Sequence, residues 1–429
     1  ERIAKEKGWQ IRKEMVGGVM EIRFIDQFGF PQAYRTTNLN AGRTTNTDDI
    51  WQGGSTGLNL TGDGYLVGEW DGGGVLTTHQ EFNNGSGTRV TQMDAPASTH
   101  YHSTHVAGTI MAEGQVNAAH GMATEALLHA YDWNDDDTEM ADEAADGLTL
   151  SNHSYGFNRG WVSDGSMYWY GNASISSTED YLFGFYDGYA QDWDEIAFNA
   201  PNYLIVKSSG NDRNDDWNSG HYVYSGGAWV WSTAARDPDG GADGYDCIDQ
   251  HGVPKNILTI GAVNDIPGGW TAATDVVQSA FSSWGPTDDG RIKPDLVANG
   301  VGVYSTTNTG TSNYTTLDGT SMATPNTTGT LVLLQEHYKN GRGGTMSAAA
   351  LKGLVINTAN EAGPANGPDY QNGWGLLNAS GAANLITNDN AVGGLILQAT
   401  LVNGQTTDYV YYSNGSSPIN VTLCWTDPA

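Results

Sequence analysis

Short apolar runs alternate with helical patterns along most of this chain, from about residue 50 to residue 388, and this alternation most constrains its fold. Each run is long enough for one buried strand, and parallel strands need a crossover connection, usually a helix. The alternation predicts an α/β fold, with a doubly wound, mostly parallel sheet and helices on both faces. The predicted strands are Tyr65–Trp70, Ala126–Tyr131, Leu148–Ser154, Tyr203–Ser208 and Ile257–Val263, and the predicted helices lie within Thr178–Asn199, Ser321–Tyr338 and Ser347–Asn360.

We place the main domain at residues 49–388, and the segment before it has a different sequence pattern. Residues 1–48 begin with the charged stretch ERIAKEKGWQIRKE, which is compatible with a helix. Two short predicted strands, Val19–Ile25 and Pro31–Thr36, follow around the turn DQFG, and the polar residues 38–49 are predicted to form a linker. We therefore interpret residues 1–48 as an N-terminal extension of the main domain.

Residues 389–429 change to a β-rich pattern, with turn sequences between apolar runs. Three strands are predicted, Leu395–Leu401, Thr407–Tyr412 and Asn420–Trp425. Because three strands rarely form a stable sheet alone, this segment is expected either to pack on the main domain or to begin a β-sandwich domain.

The chain carries 49 acidic and 19 basic residues, for a formal net charge of −30. Such a charge repels nucleic acid and anionic lipid, so neither is an expected partner. A run of 18 apolar residues, as a membrane-spanning helix would need, does not occur. Cys247 and Cys424 match no metal-binding spacing, and the sequence leaves open whether they form a disulfide or two thiols.

Reactive side chains of an open α/β sheet gather at the carboxyl ends of its strands. Asp71 directly follows the apolar run YLVGEW, and Ser321 begins an apolar-faced helix whose free N–H groups would favour negative charge. Between them, the segment YHSTHVAGT offers two histidines, His102 and His105. Each residue also has an ordinary structural interpretation, as a turn aspartate, a helix-capping serine or a hydrogen-bonding histidine.

The order Asp, His, Ser, together with HSTHVAGT and GTSMATP, resembles the subtilisin-like serine protease family over roughly residues 60–385. The resemblance implies a secreted serine endopeptidase of bacterial type with a C-terminal β-domain. Its implied catalytic triad is Asp71, His102 and Ser321, and family register selects His102 over His105. It also allows residues 1–48 to be the remnant of an inhibitory pro-segment.

Two further segments match the family in order. Asn211, in SSGN after an apolar run, takes the position of the side chain that donates to the oxyanion, although alone it would be read as a turn residue. Ser154, Tyr155 and Gly156, in SNHSYG, resemble the segment whose edge pairs with an extended peptide substrate, where the plainer interpretation is a buried strand.

The chain also departs from the family pattern at several positions. Gly72 stands where the family usually has serine or threonine, Ser103 where it has glycine, and Asn326 where it has histidine. None of these changes removes a reacting group. They bear on the level of activity rather than on activity itself.

Acidic residues along a glycine-rich loop suggest a calcium site, with Asp237, Asp239, Asp243 and Asp246 as oxygen ligands. The acidic clusters 135–137 and 212–216 are interpreted as solvated loops. No cofactor is expected for the chemistry itself.

The expected partners are polypeptide substrates, and the chain is expected to be a monomer. A catalytically weak or inactive protein that keeps the fold and binds peptides is the alternative function. A relative that works in acid is disfavoured, because such proteins resemble this one with an aspartate at the position of Asn211.

Overall fold

The computed structural model describes residues 12–15, 18–25, 31–35 and 38–429, except 413, 414 and 417. Its strands, in chain order, are β1 (Arg12–Met15), β2 (Gly18–Ile25), β3 (Pro31–Arg35), β4 (Leu66–Asp71), β5 (Val90–Gln92), β6 (Leu127–Asp132), β7 (Leu150–His153), β8 (Trp161–Ser163), β9 (Met167–Trp169), β10 (Leu204–Ser208), β11 (His221–Ser225), β12 (Ala228–Ser232), β13 (Leu258–Val263), β14 (Leu296–Asn299), β15 (Val303–Thr306) and β16 (Tyr314–Leu317). The α-helices are α1 (Asn38–Thr44), α2 (Tyr101–Met111), α3 (Asp136–Ala145), α4 (Gly188–Asn199), α5 (Thr320–Arg342), α6 (Ala348–Asn357) and α7 (Ala379–Val392). Among the described residues, no helix combines the length and the apolar character needed to cross a membrane.

A seven-stranded sheet forms the centre of the molecule, in the order β14-β13-β10-β7-β4-β6-β5. All of its strand pairs are parallel. Strand β4 lies inside the sheet between β7 and β6, and its side chains pack against helices on both faces, so Val67 and Trp70 are fully buried. Because parallel strands end at the same edge, this order brings the segments after β4, β7 and β10 close together.

Helices cover both faces of this sheet. Val106 and Ile110 of α2 and Leu331 of α5 belong to the main hydrophobic core on one face. Trp193 of α4 packs with Trp70 in a second core on the other face. Each fully buried large apolar side chain contributes about 1.5–3 kcal/mol. The predicted doubly wound α/β fold is confirmed, and each of the five predicted strands and three predicted helical regions holds an element of the predicted kind.

The described residues also form three smaller sheets, separate from the seven-stranded sheet. Strands β12, β11, β9 and β8 form a four-stranded sheet, β15 pairs with β16, and β1, β2 and β3 form a three-stranded sheet. Strands β2 and β3 confirm the two predicted near the N-terminus. The helical start predicted for residues 1–14 lies outside the described residues up to residue 11, and its last three residues belong instead to strand β1. The turn at 26–29 also lies outside the described residues.

The linker predicted for residues 38–49 is instead helix α1 and a 3₁₀ turn that pack into the main domain. Ala41 and Thr45 are buried, and the side chain of Asn326 on α5 donates to the Ala41 carbonyl and accepts from the Thr45 hydroxyl. The polar composition misled the prediction because these side chains satisfy one another inside the fold instead of facing water. Helix α1 therefore packs against the main domain, and the boundary at residue 49 stays a prediction.

The three strands predicted after residue 389 are also wrong for the described residues. Helix α7 continues to Val392, and the remaining described chain forms turns and irregular structure without strand pairing. Its apolar side chains, such as Val410 and Leu423, are largely exposed. A strand needs a partner for its backbone groups, and alternating apolar residues alone do not supply one.

Candidate active site

Asp71 is the last residue of β4, and its side chain is almost fully buried. Its carboxylate accepts hydrogen bonds from the Gly72 backbone N–H at 2.6 Å and from His102 Nδ1 at 2.8 Å. The second carboxylate oxygen lies 2.9 Å from the same ring nitrogen. The strand end thus places one carboxylate where it can orient an imidazole.

His102 is the second residue of α2, and its side chain is about one-fifth exposed. The His100 side chain caps the helix by accepting from the His102 backbone N–H at 3.3 Å. Burial lowers the pKa of His102, but the charge of Asp71 and the hydrogen bond to it outweigh burial, so the pKa is raised above its ordinary value. With Nδ1 engaged by Asp71, Nε2 is the nitrogen left for proton transfer.

His105, the competing histidine of the sequence, is fully buried one turn further along α2. Its Nε2 lies 3.1 Å from the Val303 carbonyl oxygen. Burial, and then the neighbouring His102, lower its pKa to about 3, so this ring stays neutral. The geometry gives His105 a structural role.

Ser321 is the second residue of α5. Its Oγ donates to the Ser154 carbonyl oxygen at 3.0 Å, and Ser154 Oγ donates back to the Ser321 carbonyl oxygen at 3.0 Å. The Ser321 carbonyl is available because Pro325, four residues later, has no N–H to complete the helical bond. Within the described part of the chain, no hydrogen bond joins Ser321 Oγ to His102, although α2 and α5 pack together.

Asn211 follows β10 through Ser209 and Gly210. Its Oδ1 accepts from the backbone N–H of Thr320 at 2.9 Å and from the Thr320 hydroxyl at 3.0 Å, which fixes the orientation of the amide. A methyl group built on Gly319 would lie 3.6 Å from both Asn211 Nδ2 and the Ser321 backbone nitrogen. Two N–H donors therefore flank one small space, which the glycine at φ +154° leaves open.

The predicted substrate segment continues from β7. Ser154 is joined to Ser321 as described, and the Tyr155 hydroxyl donates to Asp136 at 2.6 Å. Gly156 is exposed, and a Cβ there would overlap the carboxylate of Asp249, which itself accepts from the Phe157 N–H at 2.7 Å. Asp249, an acid that the sequence analysis did not single out, therefore helps to hold this segment in place.

Glu69 is a second buried acid that sequence analysis missed, two residues before Asp71 on β4. It is 1% exposed, and neither carboxyl oxygen has a hydrogen-bond partner in the described part of the chain. Burial, and then the charge of Asp71, raise the pKa of Glu69 well above its ordinary value. The signal was present in the sequence as a glutamate inside the apolar run YLVGEW.

The structure regroups the acids proposed for calcium. Asp239 comes together with Asp212 and Asp215, with one oxygen of each within 4.8 Å of the others, and this is the one such group among the described residues. Burial, with neighbouring carboxylates, raises the pKa of Asp212 to about 7, and burial raises that of Asp215 to about 6. For Asp239, burial and neighbouring acids outweigh the hydrogen bond from Trp161 and raise the pKa to about 9.

The other three acids proposed for calcium do not join this group. Asp246 faces Asp288, and Asp237 and Asp243 lie apart from the three carboxylates. The cluster that fits a divalent cation is therefore Asp212, Asp215 and Asp239, because convergent carboxylates are hard oxygen donors whose mutual repulsion a cation would relieve.

A parallel sheet that presents an Asp–His pair, with a serine at the start of a helix that packs against the helix of the histidine, is an arrangement typical of serine hydrolases. Comparison with known proteins agrees: the profile of the Subtilase family, Peptidase S8, matches residues 73–375. This is more than half of the chain, so the chain belongs to the subtilase family. The match includes His102, Asn211 and Ser321 and begins two residues after Asp71.

Two relatives of this chain have names that describe proteases. The chain is 24% identical over 501 aligned positions to "Serine protease/ABC transporter B family protein tagA" of Dictyostelium discoideum, covering 92% of the chain and 27% of that protein. It is 38% identical over 86 residues to a C5a peptidase of Streptococcus pyogenes serotype M18, covering 20% of the chain and 7% of that protein. The chain thus spans only a minor part of these relatives.

Solved structures show the same fold. The Clostridium perfringens CspB protease superposes with a TM-score of 0.59 at 17% identity, covering 81% of this chain and 98% of that one. The self-cleaved protease domain of PatA gives 0.52 at 21% identity, covering 77% and 99%. At these identities the likeness concerns the fold alone.

Proposed function

We propose that this chain is a secreted serine endopeptidase that hydrolyses peptide bonds through an acyl-enzyme on Ser321. The observation that carries the proposal is the buried Asp71 carboxylate holding His102 Nδ1, on a helix that packs against α5, where Ser321 lies in the first turn. Polypeptides are the substrate class that membership of a protease family implies. Secretion and a monomeric state are parts of the same proposal.

The proposed reaction begins with a rotation of the Ser321 side chain. In the substrate-free protein, Ser321 Oγ donates to the Ser154 carbonyl oxygen. An extended peptide that pairs with this segment would offer its own N–H to that carbonyl and release the hydroxyl. Rotation about the Cα–Cβ bond would then direct Oγ towards His102 Nε2.

His102 would take the proton as Ser321 Oγ attacks the scissile carbonyl, and would then deliver it to the leaving amine. Asp71 would hold the tautomer with Nδ1–H and stabilise the imidazolium. The oxyanion would lie between Asn211 Nδ2 and the Ser321 N–H, where the α5 dipole also favours negative charge. A water molecule, activated by the same histidine, would hydrolyse the acyl-enzyme.

Calcium would have a structural role in this proposal. Asp212, Asp215 and Asp239 would hold it, and Asp212 follows Asn211 directly in the chain. A bound divalent cation would relieve the repulsion among three crowded carboxylates next to the oxyanion site. The catalytic steps need only the side chains named above.

The alternative function is an inactive peptide-binding protein of the same fold. The hydrogen bond from Ser321 Oγ to Ser154, rather than to His102, is the observation that favours it. The two functions differ in whether Ser321 reacts.

The deciding experiment is labelling of the purified chain with a fluorophosphonate probe, followed by mass-spectrometric mapping of the adduct. We expect one adduct on Ser321, cleavage of casein by the unlabelled protein, and loss of both in Ser321→Ala. Peptide binding without labelling would favour the alternative. Cleavage of casein by Ser321→Ala would contradict the assignment of the nucleophile.

A further inference from the structure

The buried hydroxyl of Ser103 forms a different kind of hydrogen bond from the hydroxyls of the two threonines in the same helix. Serine and threonine in a helix commonly donate to the carbonyl four residues earlier. Thr104 donates to the His100 carbonyl at 2.9 Å and Thr109 to the His105 carbonyl at 3.0 Å, as this habit predicts. Ser103 Oγ instead donates across to Asp71 Oδ1 at 3.3 Å, from a fully buried position.

This hydroxyl contacts the same carboxylate oxygen that orients His102. Asp71 Oδ1 receives the Gly72 N–H, His102 Nδ1 and Ser103 Oγ. Gly72 contributes only its backbone, because it has no side chain. Two positions around this site depart from the family pattern: Gly72 lacks a side-chain hydroxyl that the family usually has, and Ser103 adds one. Both residues donate to the same atom, Asp71 Oδ1.

The surroundings of Asp71 make this additional donor useful. The carboxyl of Glu69 lies near Asp71 on the same strand. Among the described residues, it forms no hydrogen bond with Asp71 or with any other group. A buried carboxylate is stabilised mainly by the donors it receives. Here those donors come from Gly72, the residue after Asp71, and from the first turn of α2.

We propose that Ser103 is a positioning residue, whose hydroxyl holds the Asp71 carboxylate in the orientation that binds His102 Nδ1. This inference rests on the proposed function. Because Ser103 follows His102 directly on α2, one helical turn supplies both the imidazole and the clamp on its carboxylate partner. The hydroxyl acts through Asp71 and does not touch the reacting atoms.

The test replaces Ser103 by alanine, which removes the hydroxyl and favours the helix. We expect kcat per titrated active site to fall about three- to tenfold, as for loss of one ordinary intramolecular hydrogen bond, with KM changed less than about twofold. Thr109→Val is the matched control, because it removes a buried hydroxyl of the same helix that does not contact Asp71. That control should keep wild-type kcat per active site.

A double-mutant cycle separates positioning from a general structural effect. If Ser103 acts through Asp71, Ser103→Ala should lower kcat in the wild-type background and leave it almost unchanged in the Asp71→Asn background. An equal fold-loss in both backgrounds, or wild-type kcat in Ser103→Ala, would overturn the inference. Absence of fluorophosphonate labelling in the wild-type chain would instead overturn the proposed function, so the two failures are distinguishable.

Discussion

His102 Nδ1 lies within hydrogen-bonding distance of both carboxylate oxygens of Asp71, at 2.8 and 2.9 Å. One ring nitrogen is thereby committed to the acid, and the tautomer that leaves Nε2 free to accept a proton is favoured. The charge of Asp71 also raises the pKa of His102 against the opposing effect of burial. This pair therefore sets both the orientation and the protonation of the proposed base.

Asp71→Asn should lower turnover by about 10⁴, because the amide favours the wrong tautomer. It should also move the acidic limb of the profile of kcat/KM against pH. The base works only when neutral, and the charge of Asp71 raises the pKa of His102 above its ordinary value, so that limb lies at a higher pH than for an unperturbed histidine. Without the carboxylate, burial dominates and the limb should shift to lower pH. A limb that stays in place would contradict the pairing.

Asn211→Ala should lower turnover by about 10²–10³ with little change in KM, a magnitude carried over from a subtilisin. The reason is that Asn211 Nδ2 would bind charge that develops only in the transition state. Thr320→Val, which loses the hydroxyl that holds Asn211 Oδ1, should have a smaller effect of about fivefold. Thr324→Val is the control, because its hydroxyl bonds only within α5 to the Thr320 carbonyl. A rise in KM at constant kcat would argue against an oxyanion role.

The sequence predicted the sheet because its strands are apolar, short and separated by crossover patterns, and these are local signals. It also predicted which segments lie at the active edge, since the strand preceding Asp71 and the strand preceding Asn211 end at one side of a parallel sheet. Choosing between His102 and His105 needed the family resemblance. In the structure the difference is physical, because one ring faces a carboxylate and the other a backbone carbonyl.

What the sequence could not supply depends on contacts between distant segments. The grouping of Asp239 with Asp212 and Asp215 joins loops more than twenty positions apart, so spacing within one loop suggested another set. Polar residues such as Thr45 looked like a linker, because their partners on α5 lie far along the chain. Apolar alternation near Leu423 suggested a strand, but whether a neighbouring strand pairs with it is not a local property.

Calcium removal provides a direct test of the regrouped acids. If they bind the ion, EDTA should lower the Tm of Ser321→Ala, a background that prevents self-digestion, and added Ca²⁺ should restore it. Asp239→Asn should abolish most of this dependence. Asp243→Asn is the matched control, because Asp243 lies in the same acidic loop but is exposed and outside the cluster. Equal effects of the two substitutions, or a Tm unmoved by EDTA, would dismiss the site.

Glu69 should make the stability of the fold depend on pH in a predictable direction. Its pKa is raised in the folded protein by burial and then by Asp71, so the folded state keeps a proton that the unfolded chain releases above the ordinary glutamate pKa. The contribution of this group to stability is therefore complete below that pKa and is lost as pH rises towards the folded-state pKa. The loss amounts to about 1.4 kcal/mol per pH unit within that window.

Glu69→Gln has no proton to lose at this position. As pH rises from 5 to 7, its free energy of unfolding should therefore increase relative to that of the parent. Urea unfolding of both proteins in the Ser321→Ala background would measure this difference. The comparison of slopes is what counts, because a buried amide with no partner has a cost of its own that does not vary with pH. Glu195→Gln, an exposed acid on α4, is the control and should show no such gain. Parallel pH dependences for Glu69→Gln and its parent would show that Glu69 is ionised in the folded protein, or that it is not buried beside Asp71.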